Sequence, residues 1–261
     1  MKVFLLTDLE GIAGVDSIVQ MERTGEAYAD TCRKLEQSIN VAVDACFQNG
    51  AEAVYYLDGH GGGGNIHPEN VDPRAIRCEN VRKWSDLVRQ KAFDCQIELG
   101  AHARAGTVGG FLDHTLNSRA LFCVKHNGRE MSELSLHATL CAKYGIPVVG
   151  VTGCEAACAQ AELYIPGIAA GSVKKASCRN KAETHPNADE IVGDTVMRAL
   201  RNWESIPLIS YSEPVTVEQT YCRSDFCEER LAKCGPETKR IDARTLQKTV
   251  ENISAYSDLK F

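Results

Sequence analysis

Strand-like and helix-like segments alternate through roughly the first two hundred residues, and that alternation limits the chain's folds more than any other feature. Parallel strands need a crossover between them, so the pattern implies an α/β unit with a largely parallel sheet. Val3 to Leu6 reads as a short buried strand. Cys32, Leu35, Ile39, Ala42, Val43 and Cys46, at mixed three and four spacing, predict a helix over 25–48, closed by Asn49-Gly50. "AEAVYYLD" is strand-like, followed by the loop "GHGGGGN", a segment with Pro68 and Pro73, and a short helix near 84–91. Strand-like "CQIELGAH" and "SRALFCVKHNG", a helix over 131–143, strand "IPVVGVT", a helix over 154–163, a strand near 168–176 and a helix around 187–203 complete the unit. From Pro207 the texture changes. "PVTVEQTYC" alternates, "SDFCEERLAKC" is helical and "ETKRIDARTL" reads as a further strand. The expected organisation is an α/β domain over 1–206 and a small α+β domain over 207–261.

The first strand ends in an unusual way. In "KVFLLTDLEGIAG", Asp8 and Glu10 stand one residue apart after an apolar run, and an extended continuation would place both on one face. Two neighbouring like charges are costly without a cation or a shared proton. In open α/β sheets, functional side chains gather beyond the carboxyl ends of strands. His60 follows "AVYYLD", His102 follows "CQIELGA", and Glu133 lies near the start of the 131–143 helix. Asp8, Glu10, His60, His102 and Glu133 thus offer three carboxylates and two imidazoles, a donor set suited to zinc or a similar divalent ion. Two ions sharing a bridging carboxylate would use the set economically, with Asp8 the candidate bridge; capping of the following helix is the alternative for Asp8 and Glu10.

His114 lies twelve residues after His102 across the glycine-rich "HARAGTVGGFLDHT" and is the candidate acid/base residue, a loop position on the surface being the alternative. His67, His126, His137 and His185 read as structural. "GHGGGG" lacks the Gly-Lys-Ser/Thr ending of a phosphate-binding loop and reads as a site rim or a solvent-exposed turn.

Composition removes several classes. A net charge of −6 and a pI near 5.7 leave no basic stripe for nucleic acid. No apolar run approaches a membrane span or a signal-peptide core, so a cytoplasmic protein with reduced thiols is expected. The twelve cysteines are scattered from Cys32 to Cys234 without a C-x-x-C pair, which suits small buried hydrophobes better than zinc ribbons.

Taken in order, "TDLEGIAG", "LDGH", "GAHARAG", "DHT" and "HNGREMSELSLHA" resemble the successive motifs of the M55 metallopeptidases, the D-aminopeptidases associated with dipeptide transport operons. The resemblance runs through nearly the whole chain. It implies a Rossmann-like, mostly parallel sheet domain with a smaller C-terminal α+β part, and a homodecamer. It also implies a two-zinc aminopeptidase acting on short peptides with an N-terminal D-residue, such as D-Ala-D-Ala. Asp8, Glu10, His60, His102 and Glu133 match the family's zinc ligands and His114 its proposed catalytic histidine. The chain has Gly59 where the family usually has Ser, and Cys154-Glu155 where an acidic pair is common. An amidohydrolase of other stereo- or linkage specificity and a non-catalytic peptide-binding protein are the competing readings.

Overall fold

A computed structural model describes residues 1–261. The elements run in the order β1 (Lys2–Thr7), α1 (Tyr28–Gln48), β2 (Ala53–Asp58), β3 (Ile76–Cys78), α2 (Val81–Arg89) and β4 (Cys95–Ala101). Then come β5 (Leu121–His126), β6 (Arg129–Glu130), α3 (Glu133–Lys143), β7 (Val148–Cys154), α4 (Glu155–Tyr164), β8 (Ala169–Cys178), β9 (Lys181–Thr184) and α5 (Ala188–Arg201). The last are β10 (Val215–Tyr221), α6 (Ser224–Leu231), β11 (Lys239–Arg240) and β12 (Thr245–Val250).

Seven strands form one sheet in the order β3-β2-β1-β4-β7-β8-β9, all parallel except the final β8/β9 pair. β4 and β7 are buried at every position, the pattern of strands covered on both faces. Helix α1 packs with α5, and α3 packs with α2 and α4. Strand order runs outward in opposite directions from β1 and β4, which makes the cleft beyond their carboxyl ends the topological switch point. The register brings those ends level, with Thr7 opposite both Asp58 of β2 and Leu99 of β4.

The expectation of an α/β fold with a mostly parallel sheet and a further α+β part is met, with a difference at "SRALFCVKHNG". Leu121–His126 does not enter the parallel sheet. It pairs with Arg129–Glu130 as a hairpin closed by Asn127-Gly128, both at positive φ (49° and 81°), as a tight hairpin turn requires. A second, antiparallel sheet in the order β11-β12-β10-β5-β6 joins this hairpin to the strands that follow residue 207. The stretch "ETKRIDARTL" also divides, into the short β11 and the start of β12, because the Asp242–Arg244 turn interrupts it. One apolar cluster runs from Phe4 and Leu5 through to Val217 and Leu246. All twelve cysteines are free, most of them buried. No helix is long and apolar enough to cross a membrane.

Candidate metal centre

Beyond Thr7 the backbone does not continue extended. It turns at Asp8, whose N–H donates to Leu99 O (2.8 Å), and Gly11 N–H donates to Gly100 O (2.8 Å). This close approach needs glycine on both sides: a Cβ on Gly11 would lie 2.2 Å from Ala101 O, and one on Gly100 2.2 Å from Asp8 O. The expected alternation therefore fails locally, yet the turn still brings both carboxylates to one place. His60 Nδ1 is 3.2 Å from Asp8 Oδ1 and 2.9 Å from Glu10 Oε2.

Each remaining donor is delivered by its own local device. His60 opens the glycine-rich loop, which is pinned from behind by Asn65. The buried Asn65 amide donates to Asp58 Oδ1 (2.9 Å) and to His60 O (2.8 Å). His102 follows β4. His114 returns to it because His114 N–H donates to Ala103 O (3.1 Å), while Asp113 accepts from Gly106 N–H (2.7 Å) and pairs with Arg179 (3.2 Å). Glu133 is the first residue of α3, entered through a capping box formed by Ser132 and Ser135. The hairpin β5/β6 carries the chain away and back so that this helix start faces the cleft.

Two donor groups result, Asp8 with Glu10 and His60, and Glu133 with His102 and His114, each with ligand atoms within 4.8 Å of one another. Asp8 stands between them, since its second oxygen, Oδ2, is 3.2 Å from His102 Nε2. Glu133 Oε1 is also 3.2 Å from that nitrogen. The His102 and His114 rings stack at 3.9 Å and 7°. Thus all five expected ligand residues and the expected acid/base histidine converge. His114 Nε2 is less closely engaged, 3.7 Å from Glu133 and 3.9 Å from Glu10.

The donor chemistry fits a divalent cation. His102 Nδ1 lies 3.0 Å from Ala103 O, and a carbonyl only accepts, so Nδ1 carries the proton. His102 Nε2 is then left buried with no hydrogen-bond partner, its lone pair facing two carboxylate oxygens. Only a cation or a second proton at that point relieves the repulsion. Ligand atoms on a tetrahedral zinc with bonds of about 2.0–2.1 Å lie roughly 3.3 Å apart, close to the separations in this cluster. In the absence of an ion, protons take that place. Burial opposes charge on Asp8, but His102 and His60 hold it well below the usual carboxylate range; burial likewise opposes charge on Glu133, which His102 brings down to about 2. Burial also disfavours the imidazolium of His60, yet Asp8 and Glu10 raise it to about 10, and Asp8 and Glu133 lift His102 well above its ordinary value in the same way.

The cluster lines a cavity of about 570 Å³. At its lining stand Glu98 and His137, paired at 3.2 Å, with Gln96 linking Glu98 to the Trp84 indole N–H (2.7 and 2.8 Å). His137 was expected to be purely structural. Its position one helical turn beyond Glu133 on α3 is the signal that would have placed it here. Lys174 was not singled out in the sequence either. It is fully buried beneath the loop after β1, donating to Glu10 O (2.9 Å) and to Val15 O and lying 4.9 Å from the Phe111 ring centroid. Burial lowers its ammonium to about 7. A lysine at an apolar strand position, here in "GSVKKAS", is the only sequence sign of it.

The family model of the M55 peptidases, described as D-aminopeptidase, matches residues 1–259. The chain belongs to the M55 family. A D-aminopeptidase of Bacillus subtilis (strain 168) is 27% identical over 223 residues, covering 82% of this chain and 80% of the relative. Among solved structures, the Zn-dependent D-aminopeptidase DppA from Bacillus subtilis, a self-compartmentalizing protease, matches with a TM-score of 0.91 at 22% identity, over 99% of this chain and 95% of that one. Likeness at that identity establishes the shared M55 fold. Membership in M55 makes the chain an aminopeptidase, a hydrolase of peptide bonds.

Proposed function

We propose that this M55 member is a two-zinc aminopeptidase that removes N-terminal D-residues from short peptides such as D-Ala-D-Ala. The observation that carries the reading is the orphaned His102 Nε2 between Asp8 and Glu133, beside a second donor group that shares Asp8. Asp8, Glu10 and His60 would hold one ion, His102 and Glu133 the other, with Asp8 between the two. The family description and the zinc-dependent relative of the same fold support zinc and the D-substrate.

Bound zinc would polarise the scissile carbonyl and acidify the attacking water. His114 acts as the proton carrier. Its Nδ1–H donates to Leu112 O (2.8 Å), which fixes the ring and leaves Nε2 facing the cavity. That nitrogen takes up a proton and delivers it to the leaving amine, or stabilises charge on the tetrahedral carbon's oxygen. Lys174 and the Gly11/Gly100 contact position Glu10 and Asp8, and Asn65 positions His60. Residues 1–206 form the catalytic part and 207–261 a smaller α+β part that completes the second sheet. We assign the protein to the cytoplasm as a homodecamer, the assembly in keeping with the self-compartmentalizing relative.

The test is metal content of the purified protein together with hydrolysis of D-Ala-D-Ala and L-Ala-L-Ala before and after chelation. About two zinc per chain with chelator-sensitive, D-selective cleavage is expected. Two metals without D-cleavage would keep the site and discard the substrate. Chelator-resistant cleavage would remove the metal from the mechanism.

A further inference from the structure

The cavity that holds the acidic cluster is not acidic throughout. Lys260 and Arg119 also line it, and neither side chain has a carboxylate partner or a hydrogen-bond acceptor within the chain. Lys260 Nζ lies 4.3 Å from the centroid of the Tyr256 ring. Burial pushes this ammonium below its ordinary range while Glu133 pulls it back, so Lys260 is a partly desolvated cation within the field of the cluster.

Lys260 follows the short turn Tyr256–Leu259, and that turn is held. Tyr256 and Leu259 are buried, Tyr256 N–H donates to Ser85 Oγ (3.2 Å), Leu259 O accepts from His126 Nε2 (2.8 Å), and Lys260 O accepts from Lys248 Nζ (2.6 Å). Such anchoring is what a binding residue needs. Arg119 and Lys260 also line a second cavity, whose other charged side chains are Arg230, Lys233 and Glu229. The lining therefore carries both signs: the carboxylates and imidazoles of the cluster, and two cations without an acidic partner.

A short peptide with both ends free carries the matching pair of charges. With its N-terminal residue at the cluster, its carboxylate points away from the metal ligands, and an unpaired lysine and arginine are the groups that recognise a carboxylate. We propose that Lys260, assisted by Arg119, binds the C-terminal carboxylate of the peptide, so that the enzyme selects short peptides with a free carboxyl end. The proposal rests on the peptidase reading above and adds the recognition of the far end of the substrate.

The experiment compares D-Ala-D-Ala with its C-terminal amide, in turnover and in equilibrium binding, on the wild type, Lys260→Gln and Arg119→Gln. The acid-to-amide ratio within each protein is insensitive to the fraction folded. The wild type should favour the acid by about tenfold or more, expressed in KM and in Kd, the effect of one charge-assisted contact. Lys260→Gln should bring the ratio close to one, and Arg119→Gln should lower it part of the way. Equal handling of acid and amide by the wild type, or an unchanged ratio in Lys260→Gln, would overturn the proposal. Acid-selective binding that Lys260→Gln removes, in a protein that cleaves neither peptide, would sustain the subsite while the aminopeptidase reading fails.

Discussion

Two buried histidines, each with one ring nitrogen lacking any partner, differ in what surrounds that nitrogen. His102, at the end of β4, points its bare Nε2 at Asp8 and Glu133. His126, at the end of β5, has a bare Nδ1 with no carboxylate paired to the ring, while Nε2–H donates to Leu259 O. Burial works against an imidazolium at both. Two carboxylates reverse it at His102, which lies well above its ordinary pKa, whereas nothing reverses it at His126, which falls to about 4. An orphaned nitrogen thus marks a cation site only where anions converge on it; elsewhere it is a neutral ring in the core.

The sharpest way to break this contrast is to remove the anions or the ring at the site. Asp8→Ala or His102→Ala should lose bound metal and lower kcat/KM on D-Ala-D-Ala by on the order of a thousandfold or more. His126→Gln should leave metal content and kcat within about twofold of wild type, since it touches no donor of the cluster, whereas KM can shift through the Leu259 contact beside Lys260. Metal analysis and steady-state kinetics on the same preparations decide it. A metal-free His126→Gln protein would mean that the two histidines are not the different things their surroundings suggest.

The proposed roles divide ligation from proton transfer within the site itself, and His114 tests that division. It stacks on His102, but its Nε2 keeps 3.7 Å or more from the nearest carboxylates, a looser engagement than the 2.9–3.2 Å contacts of His60 and His102. His114→Ala should therefore reduce kcat by roughly 10²–10⁴-fold, the range for a positioned acid or base, with metal content unchanged. Loss of one metal from His114→Ala would instead make it a ligand of the Glu133 group.

His126 gives the acid-stability half of the comparison. Its folded pKa of about 4 lies below the 6.5 of an unperturbed imidazole, so between those values the unfolded chain binds a proton that the folded chain refuses. Stability from this residue is complete above pH 6.5, falls as the pH drops towards 4, and changes no further below that; the full loss is about 3 kcal/mol. His60 in the metal-free protein has the opposite sign: raised to about 10, it stabilises below pH 6.5 and loses that contribution as the pH rises towards 10. Urea unfolding at pH 7, 5.5 and 4.5 should show His126→Gln losing less stability than wild type over that interval. Parallel curves for the two proteins would remove His126 as the source.

How much of this was legible in the sequence follows from how local each signal is. The alternation of elements, and hence the parallel sheet, is written in periodicity over ten or more residues, and Asp8, Glu10, His60 and His102 follow from strand ends alone. The hairpin at Asn127-Gly128 carried a recognisable turn signal, but "SRALFCVKHNG" reads equally well as a strand of either sheet, because its partner β10 lies some ninety residues later. Lys174 and Lys260 were invisible for a related reason. What makes each of them matter is its burial and the distant segments it meets in three dimensions, the loop after β1 for Lys174 and the cluster's cavity for Lys260, which no local spacing encodes.

The smallest effect belongs to a third histidine, and it limits the rule from the other side. His67 Nδ1 also faces a carboxylate, Glu69 Oε1 at 4.0 Å, but the two side chains are 63% and 73% exposed. Water screens that pair and supplies both groups with hydrogen bonds, so nothing is left for an ion to satisfy. His67→Ala should change stability by less than about 0.5 kcal/mol, with no change in metal content or in D-Ala-D-Ala cleavage. A measurable loss of metal there would show that a histidine beside an acid suffices for binding. The expected silence instead makes burial and the convergence of several carboxylates the two conditions that His102 meets together, that His126 meets only in burial, and that His67 does not meet at all.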